Sequence, residues 1–261
     1  MLQFALIGER LGHSLSVPIH RALYRHLGLD ADYRLVEIPP EDFDTAVPEV
    51  MKGLRGMNVT IPYKQRIMPL LDEIDERAGR IGAVNTVTIG KTTCGHNTDA
   101  AGVRAMMERY GLLPGGLDCY CLGTGGSSHT VRTVLHEMGA RSVTLVSRHP
   151  EAGEISYDQL AQVMDGGFIV NTTPAGMWPR VEGCPLTGEQ LERVLPRCRG
   201  VVDIIFNPAE TRLTAAAKAH GVPACTGLYM LIHQAVEAER LWLERDIPED
   251  MTDRIAAEIK L

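Results

Sequence analysis

Apolar residues fall along this chain in short runs separated by longer amphipathic stretches, the alternation of a sheet built with helical crossovers. Leu2 to Ile7 is apolar almost throughout and reads as a buried strand, followed by a Gly/Ser loop and an amphipathic helix from Val17 to Leu27. Asp32 to Ile38 is expected as a second strand, Glu41 to Met51 as a helix that tolerates Pro48, and Arg55 to Thr60 as a third strand ending at Ile61 and Pro62. Short helical segments to about Gly79 lead into strands near Val84 to Ile89 and Lys91 to Cys94. Thr98 to Tyr110 reads as a helix closed by Gly111, with a linker at Pro114, Gly115 and Gly116. A fresh β-α-β series begins at Asp118, with strands over 119–122, 142–146, 168–171 and 201–205. Its helices come after Gly126 and over Tyr157 to Met164 and Thr211 to His220, and two more cover Tyr229 to Arg245 and Asp250 to Ile259. The pattern predicts an α/β protein of two domains. Residues 1–100, completed by the C-terminal helices of 228–261, form one; residues 101–227 form a doubly wound second.

Composition narrows what such a chain does. A length of 261 residues buries enough surface to need no disulfide or metal staple. The formal net charge of -7, without basic runs, argues against nucleic acid or an anionic membrane as partner. The six cysteines (Cys94, Cys119, Cys121, Cys184, Cys198, Cys225) contain no C-x-x-C pair, and Cys119 and Cys121 read as small hydrophobes on one strand face. No His/Cys cluster has ligand spacing, so no metal is expected. The start, MLQFALIGER, lacks the basic region and long apolar stretch of a signal peptide, and no window spans a membrane. A reduced, cytoplasmic setting is the expectation.

The run CLGTGGSSHT (Cys121 to Thr130) follows a buried strand and opens a helix, the setting of a dinucleotide fingerprint. Gly123, Gly125 and Gly126 fit the tight turn and the close approach of pyrophosphate to a helix N-terminus, while Ser128 stands at the third glycine position. At the head of a full β-α-β series this favours cofactor binding over a simple strand-helix turn. NAD enzymes usually end the next strand with an acid, about 20 residues after the first glycine. Here it ends Val146-Ser147-Arg148-His149, and a guanidinium suits a 2′-phosphate. A solvated Arg at a strand end is the plain alternative, but the missing acid points to NADP.

Four polar stretches lie at strand ends of the first domain, where ligands of open α/β sheets gather. In GHSLSVPIH, Ser16 followed by Pro18 is a good helix start with Ser16 as N-cap, which leaves His13 and Ser14 without a structural reason. NVTIPYK places an amide, a hydroxyl and an ammonium (Asn58, Thr60, Lys64) around one crevice, although a lone lysine is usually a surface residue. In GAVNTV, Asn85 interrupts an apolar strand and reads by itself as a buried amide satisfied by backbone. In GHNTDAAG, Asp99 in a helix's first turn already has a dipole reason to be there. Together Ser14, Ser16, Asn58, Thr60, Lys64, Asn85 and Asp99 supply uncharged hydrogen-bonding groups plus one Lys and one Asp, a set suited to a small polyhydroxylated acid.

Taken in order, these motifs resemble the shikimate dehydrogenase family over nearly the whole chain. Ser14 and Ser16 match its S-x-S substrate motif, NVTIPYK its N-V-T-x-P-x-K, and GAVNT and GHNTD its next two signatures. NTTPAGM (Asn171 to Met177), the stretch from Asp203 through Pro208 to Thr211 and Leu213, and GLYMLIHQA (Gly227 to Ala235) complete the match. The resemblance implies reversible, NADPH-dependent reduction of 3-dehydroshikimate to shikimate in aromatic amino acid (chorismate) biosynthesis, on a Rossmann-like second domain. It makes Lys64 and Asp99 the catalytic pair, and Ser14, Ser16, Asn58, Thr60, Asn85, Phe206 and Gln234 the substrate contacts. It assigns Gly123, Thr124, Gly125, Gly126, Ser127, Ser147, Arg148, His149 and Thr172 to the cofactor. Met177, Ile204 and Gly227 would flank the nicotinamide in the interdomain cleft. Four departures stand out: Ser16-Val17 replaces the usual Ser-Pro with the proline one place later at Pro18, His129 replaces the usual loop Arg, Ser147-Arg148-His149 replaces Asn-Arg-Thr, and Phe206 replaces a Tyr that often contacts substrate. A quinate or dual quinate/shikimate dehydrogenase shares every motif, and a non-catalytic ligand sensor on the same scaffold is the alternative of another class. A monomer or homodimer is expected.

Overall fold

The computed structural model describes residues 1–12 and 14–259, so His13 lies outside the described residues. Its first strands are β1 (Leu2–Gly8), β2 (Ala31–Glu37) and β3 (Gly56–Val59), separated by helices α1 (Ser16–Leu27) and α2 (Phe43–Met51). Next come β4 (Glu73–Ile74), α3 (Glu76–Ile81), β5 (Thr86–Ile89), β6 (Thr93–His96) and α4 (Asp99–Arg109). Pro48 sits inside α2 as expected, near its end and after a short 3-10 turn at Pro40–Asp42. These strands form one sheet in the order β2-β1-β3-β5-β6-β4. Only β5 runs against its neighbours; the other pairings are parallel.

The second sheet has the order β12-β11-β10-β7-β8-β9, parallel throughout. Its elements in sequence are β7 (Asp118–Leu122), α5 (Gly126–Glu137), β8 (Ser142–Ser147), β9 (Ile155–Ser156) and α6 (Tyr157–Val163). Then follow β10 (Phe168–Asn171), α7 (Gly188–Val194), β11 (Gly200–Asp203), α8 (Arg212–Ala219) and β12 (Ala224–Cys225). The chain winds outward from β7 through β8 to β9, then returns to β10 and winds the other way. That is the doubly wound Rossmann order, with its switch point between β7 and β10.

Two compact units result: Met1–Ala101 joined by the segment from Ile232, and Gly102–Leu231. The chain changes unit inside α4 and again inside α9 (Leu228–Leu243), with α10 (Met251–Glu258) closing the described chain. The sequence placed all of α9 with the first domain; its first turn belongs to the second unit, where the Met230 carbonyl would meet a Cβ at Gly102 at 2.6 Å. Trp242 ties the rest of α9 to the first sheet. Its indole is fully buried, stacks on Phe4 at 4.8 Å and donates from Nε1 to the Val87 carbonyl at 2.9 Å. Gly56 makes room for it, since a Cβ there would lie 2.2 Å from the ring.

Candidate functional site

In the first unit the loops after β1, β3 and β6 leave the same end of the sheet. After β3 the chain turns through Thr60 and brings Lys64 towards the start of α4. There the Lys64 Nζ donates to Asp99 Oδ2 at 2.6 Å, with side chains 20% and 14% exposed. Asp99 opens α4, where the helix dipole favours its negative charge. The pair is shielded enough for its Coulomb attraction to matter, yet it stays open to a small molecule.

Beside it lies a hub of amides and hydroxyls. The Asn85 Oδ1 accepts from the Thr98 backbone N–H at 2.7 Å and from the Thr86 hydroxyl at 3.2 Å. Its Nδ2 donates to the Thr98 hydroxyl at 3.0 Å and to Gln234 Oε1 on α9 at 3.4 Å. Asn85 is therefore held mainly by side chains rather than by backbone, and it precedes β5 rather than interrupting it. Asn58 is buried too: its Oδ1 accepts from the Tyr33 hydroxyl at 2.7 Å, and its Nδ2 reaches the Asn85 carbonyl and the Thr86 hydroxyl. Those bonds tie Asn58 to Asn85 and Thr86. Tyr33, Thr86 and Thr98 are the members of this hub that sequence reasoning missed. The Asn-Thr-Asp run at 97–99 was the signal for Thr98; nothing local marked Tyr33.

Ser14 and Ser16 face each other, the Ser14 hydroxyl donating to Ser16 Oγ at 3.0 Å. Ser16 is not the N-cap that the sequence suggested. It is the first residue of α1; Leu15 occupies the cap without a side-chain bond, and the Ser16 N–H donates instead to Ser14 Oγ at 3.2 Å. The early start is permitted because a proline anywhere in the first turn loses no intrahelical bond, and Pro18 lies there. The Thr60 hydroxyl has no partner among the described residues, so it is available to a ligand.

In the second unit the glycine loop leaves β7 at the switch point. Gly123 has a φ of +101°, a left-handed backbone that favours glycine, and a Cβ there would press on Thr173 at 2.9 Å. Gly125 caps α5 without any side-chain bond, and Cβ atoms at Gly125 or Gly126 would meet open space. The helix thus presents bare N–H groups to the outside, as a phosphate site requires. Ser128 replaces the third glycine without harm: it is buried, and its hydroxyl donates to the Gly125 carbonyl at 2.7 Å. Thr124 is exposed and Ser127 half-buried at the loop's mouth. The Thr172 hydroxyl, assigned to the cofactor, donates to the Leu122 carbonyl at 2.7 Å and so braces β10 against the loop.

At the end of β8, Ser147 Oγ accepts from the His149 N–H at 3.2 Å, shaping the turn that carries Arg148. Arg148 and His149 are exposed, and no carboxylate pairs with Arg148 among the described residues. Met177, 40% exposed, and half-buried Ile204 and Phe206 lie on the loops after β10 and β11. Gly227 packs against the Ile204 carbonyl so closely that a Cβ would fall 2.1 Å from its oxygen. Among the described residues no group of His, Cys, Asp and Glu could hold a metal ion.

A Rossmann unit with an open glycine loop, and a companion α/β unit holding a Lys–Asp pair among amides and hydroxyls, define a dehydrogenase of the two-unit α/β class. Residues 6–87 match the shikimate dehydrogenase substrate binding domain. The chain is 36% identical over 274 residues to the shikimate dehydrogenase (NADP(+)) of Clostridium perfringens, covering 100% of this chain and 99% of that protein. It superposes with a TM-score of 0.93 and 35% identity on a chorismate mutase/shikimate 5-dehydrogenase fusion protein from Clostridium acetobutylicum, covering 99% and 97% of the two chains. Against the shikimate 5-dehydrogenase of Thermus thermophilus, solved with NADP(H) and shikimate, the TM-score is 0.87 at 30% identity, covering 99% of each. The chain belongs to the shikimate dehydrogenase family.

Proposed function

We propose that this chain catalyses the reversible reduction of 3-dehydroshikimate to shikimate with NADPH, a step of aromatic amino acid biosynthesis. The observation that carries the reading is the 2.6 Å Lys64–Asp99 pair, set beside the Asn85–Thr98–Gln234 hub and the open Thr60 hydroxyl. The family relative solved with NADP(H) and shikimate supports both ligands.

When bound, NADP supplies hydride chemistry at its nicotinamide ring. Everything else falls to the chain's own residues. Lys64 delivers a proton from Nζ to the C3 oxygen as the carbonyl becomes an alcohol, and takes it back in the reverse direction. Asp99 holds that ammonium in place and balances its charge. Ser14, Ser16, Thr60, Asn85 and Gln234 bind the ring hydroxyls and carboxylate, with Asn58 supporting Asn85. The uncapped N-terminus of α5 receives the pyrophosphate, with Gly123, Thr124, Gly125, Gly126 and Ser127 around it. Arg148 receives the 2′-phosphate, and Ser147 and His149 shape its turn. Met177, Ile204 and Gly227 form the nicotinamide wall.

Initial rates on shikimate and on quinate, each with NADP and with NAD, test the reading. Shikimate with NADP should be the fastest combination by at least about tenfold, the scale of one lost polar contact to a buried site. A faster quinate rate would overturn the substrate assignment. Binding of shikimate without turnover would show a sensor instead.

A further inference from the structure

Asp203 ends β11 fully buried, yet among the described residues no cation pairs with it. A carboxylate taken from water without a counter-charge is costly, so its place in the fold calls for a reason. Its contacts supply one. Oδ1 accepts from Asn171 Nδ2 at 3.0 Å and from the Ile205 N–H at 3.1 Å, and Oδ2 accepts from the Thr211 hydroxyl at 2.8 Å. Each donor belongs to a different segment: the end of β10, the loop after β11, and the N-cap of α8. The bracing continues outward. Asn171 Oδ1 accepts from the Thr173 N–H at 3.0 Å and hydroxyl at 2.7 Å, so the loop bearing Met177 hangs from the same point. The Trp178 N–H donates to the Asn207 carbonyl at 3.0 Å, and the Gly227 N–H to the Ile205 carbonyl at 2.8 Å.

We propose that Asp203 is a positioning residue for the nicotinamide wall: through one buried carboxylate it holds Met177, Ile204 and Gly227 in a single cross-braced arrangement. The proposal deepens the functional reading above and rests on it for the identity of the ligand. Burial as the leading influence pushes the Asp203 carboxyl up to about 6, so its charge at neutral pH works against stability.

The test uses the whole chain with Asp203→Asn and Asp203→Ala, each checked for folding by circular dichroism. Amide hydrogen exchange over 172–178 and 204–211, without ligand, reads the brace directly. Exchange there should rise at least about tenfold in the Ala variant and less in the Asn variant, which keeps Oδ1 as acceptor. NADPH fluorescence titration should then give a dissociation constant raised about fivefold or more in the Ala variant. Loss of folded protein alone would lower kcat and leave that dissociation constant unmoved. If neither variant folds, Thr211→Val decides, with Thr211→Ser as the hydroxyl-keeping control. Unchanged exchange in the two loops of a folded Asp203→Ala or Thr211→Val variant overturns the proposal, whatever the activity. A parent chain that does not bind NADPH would overturn the functional reading while the exchange result still judges the brace.

Discussion

At Lys64 and Asp99 a single 2.6 Å contact joins the two charged groups that the sequence singled out 35 positions apart. Because the pair acts as a unit, its members should fail together. Lys64→Ala should lower kcat at least about 10²-fold with little change in shikimate KM, the usual scale for a lost general acid/base. Asp99→Ala should act the same way, and the double variant should be barely worse than the worse single. Steady-state rates check this, and near-parental kcat in Lys64→Ala would rule out its proton role. Phe206 supplies a second measurement. If a Tyr hydroxyl at this place reaches substrate, Phe206→Tyr should gain about 0.5–1.5 kcal/mol, lowering shikimate KM several-fold. An unchanged or higher KM would make Phe206 a packing residue. Much of the site was legible at this scale because polar residues at strand ends are conspicuous against apolar runs. Ser16 was misread as an N-cap, and the partners of Asn58 went unseen, because side-chain contacts such as those with Ser14 and Tyr33 are not revealed by spacing.

Among the elements, the longer strands and helices followed from periodicity, whereas β4, β9 and β12 escaped it. Each is a two-residue strand, too short to show alternation, and forms only because a neighbouring strand offers an edge. Helix α7 escaped as well, although Thr187 and Gln190 form a capping box that a search for start signals would have found. Helix α9 carries a pH-sensitive feature that no pattern announced. Burial, with Arg240 adding to it, lowers the His233 imidazole to about 4, and its Nδ1 contacts the Thr252 hydroxyl at 2.9 Å. A histidine with a depressed folded pKa binds fewer protons folded than unfolded. Its contribution is therefore fully present above about 6.5 and lost as pH falls towards 4, roughly 2 kcal/mol between pH 7 and pH 5. Asp203, raised to about 6, has the opposite sign and gains stability as pH falls, so parent and variant must be compared at each pH. Urea unfolding at pH 7 and pH 5 should show a smaller loss in His233→Gln than in the parent. Equal losses would mean that His233 titrates normally.

For the whole molecule, each unit has its own buried cluster. Phe4, Tyr33 and Trp242 anchor one in the first, while Leu122, Ile169 and Val201 sit in that of the second. Yet α4 and α9 are continuous helices that each begin in one unit and end in the other. Unfolding either unit would strip packing from one end of both helices, so the chain should melt in one transition that either ligand raises. A ligand at about 100 times its dissociation constant adds roughly 2.7 kcal/mol, which for a chain of this size is about 5 °C in Tm. NADP and shikimate, each alone, should therefore shift the calorimetric peak upward without splitting it. Arg148→Ala separates the contributions. Because NAD lacks the 2′-phosphate, this variant should lose most of the shift due to NADP while keeping the shifts due to NAD and shikimate. Arg148 is exposed and bonded to no carboxylate among the described residues, so the substitution should leave the ligand-free Tm within about 1 °C. An undiminished NADP shift in Arg148→Ala would place the 2′-phosphate elsewhere, and two separate peaks would show that the shared helices do not couple the units.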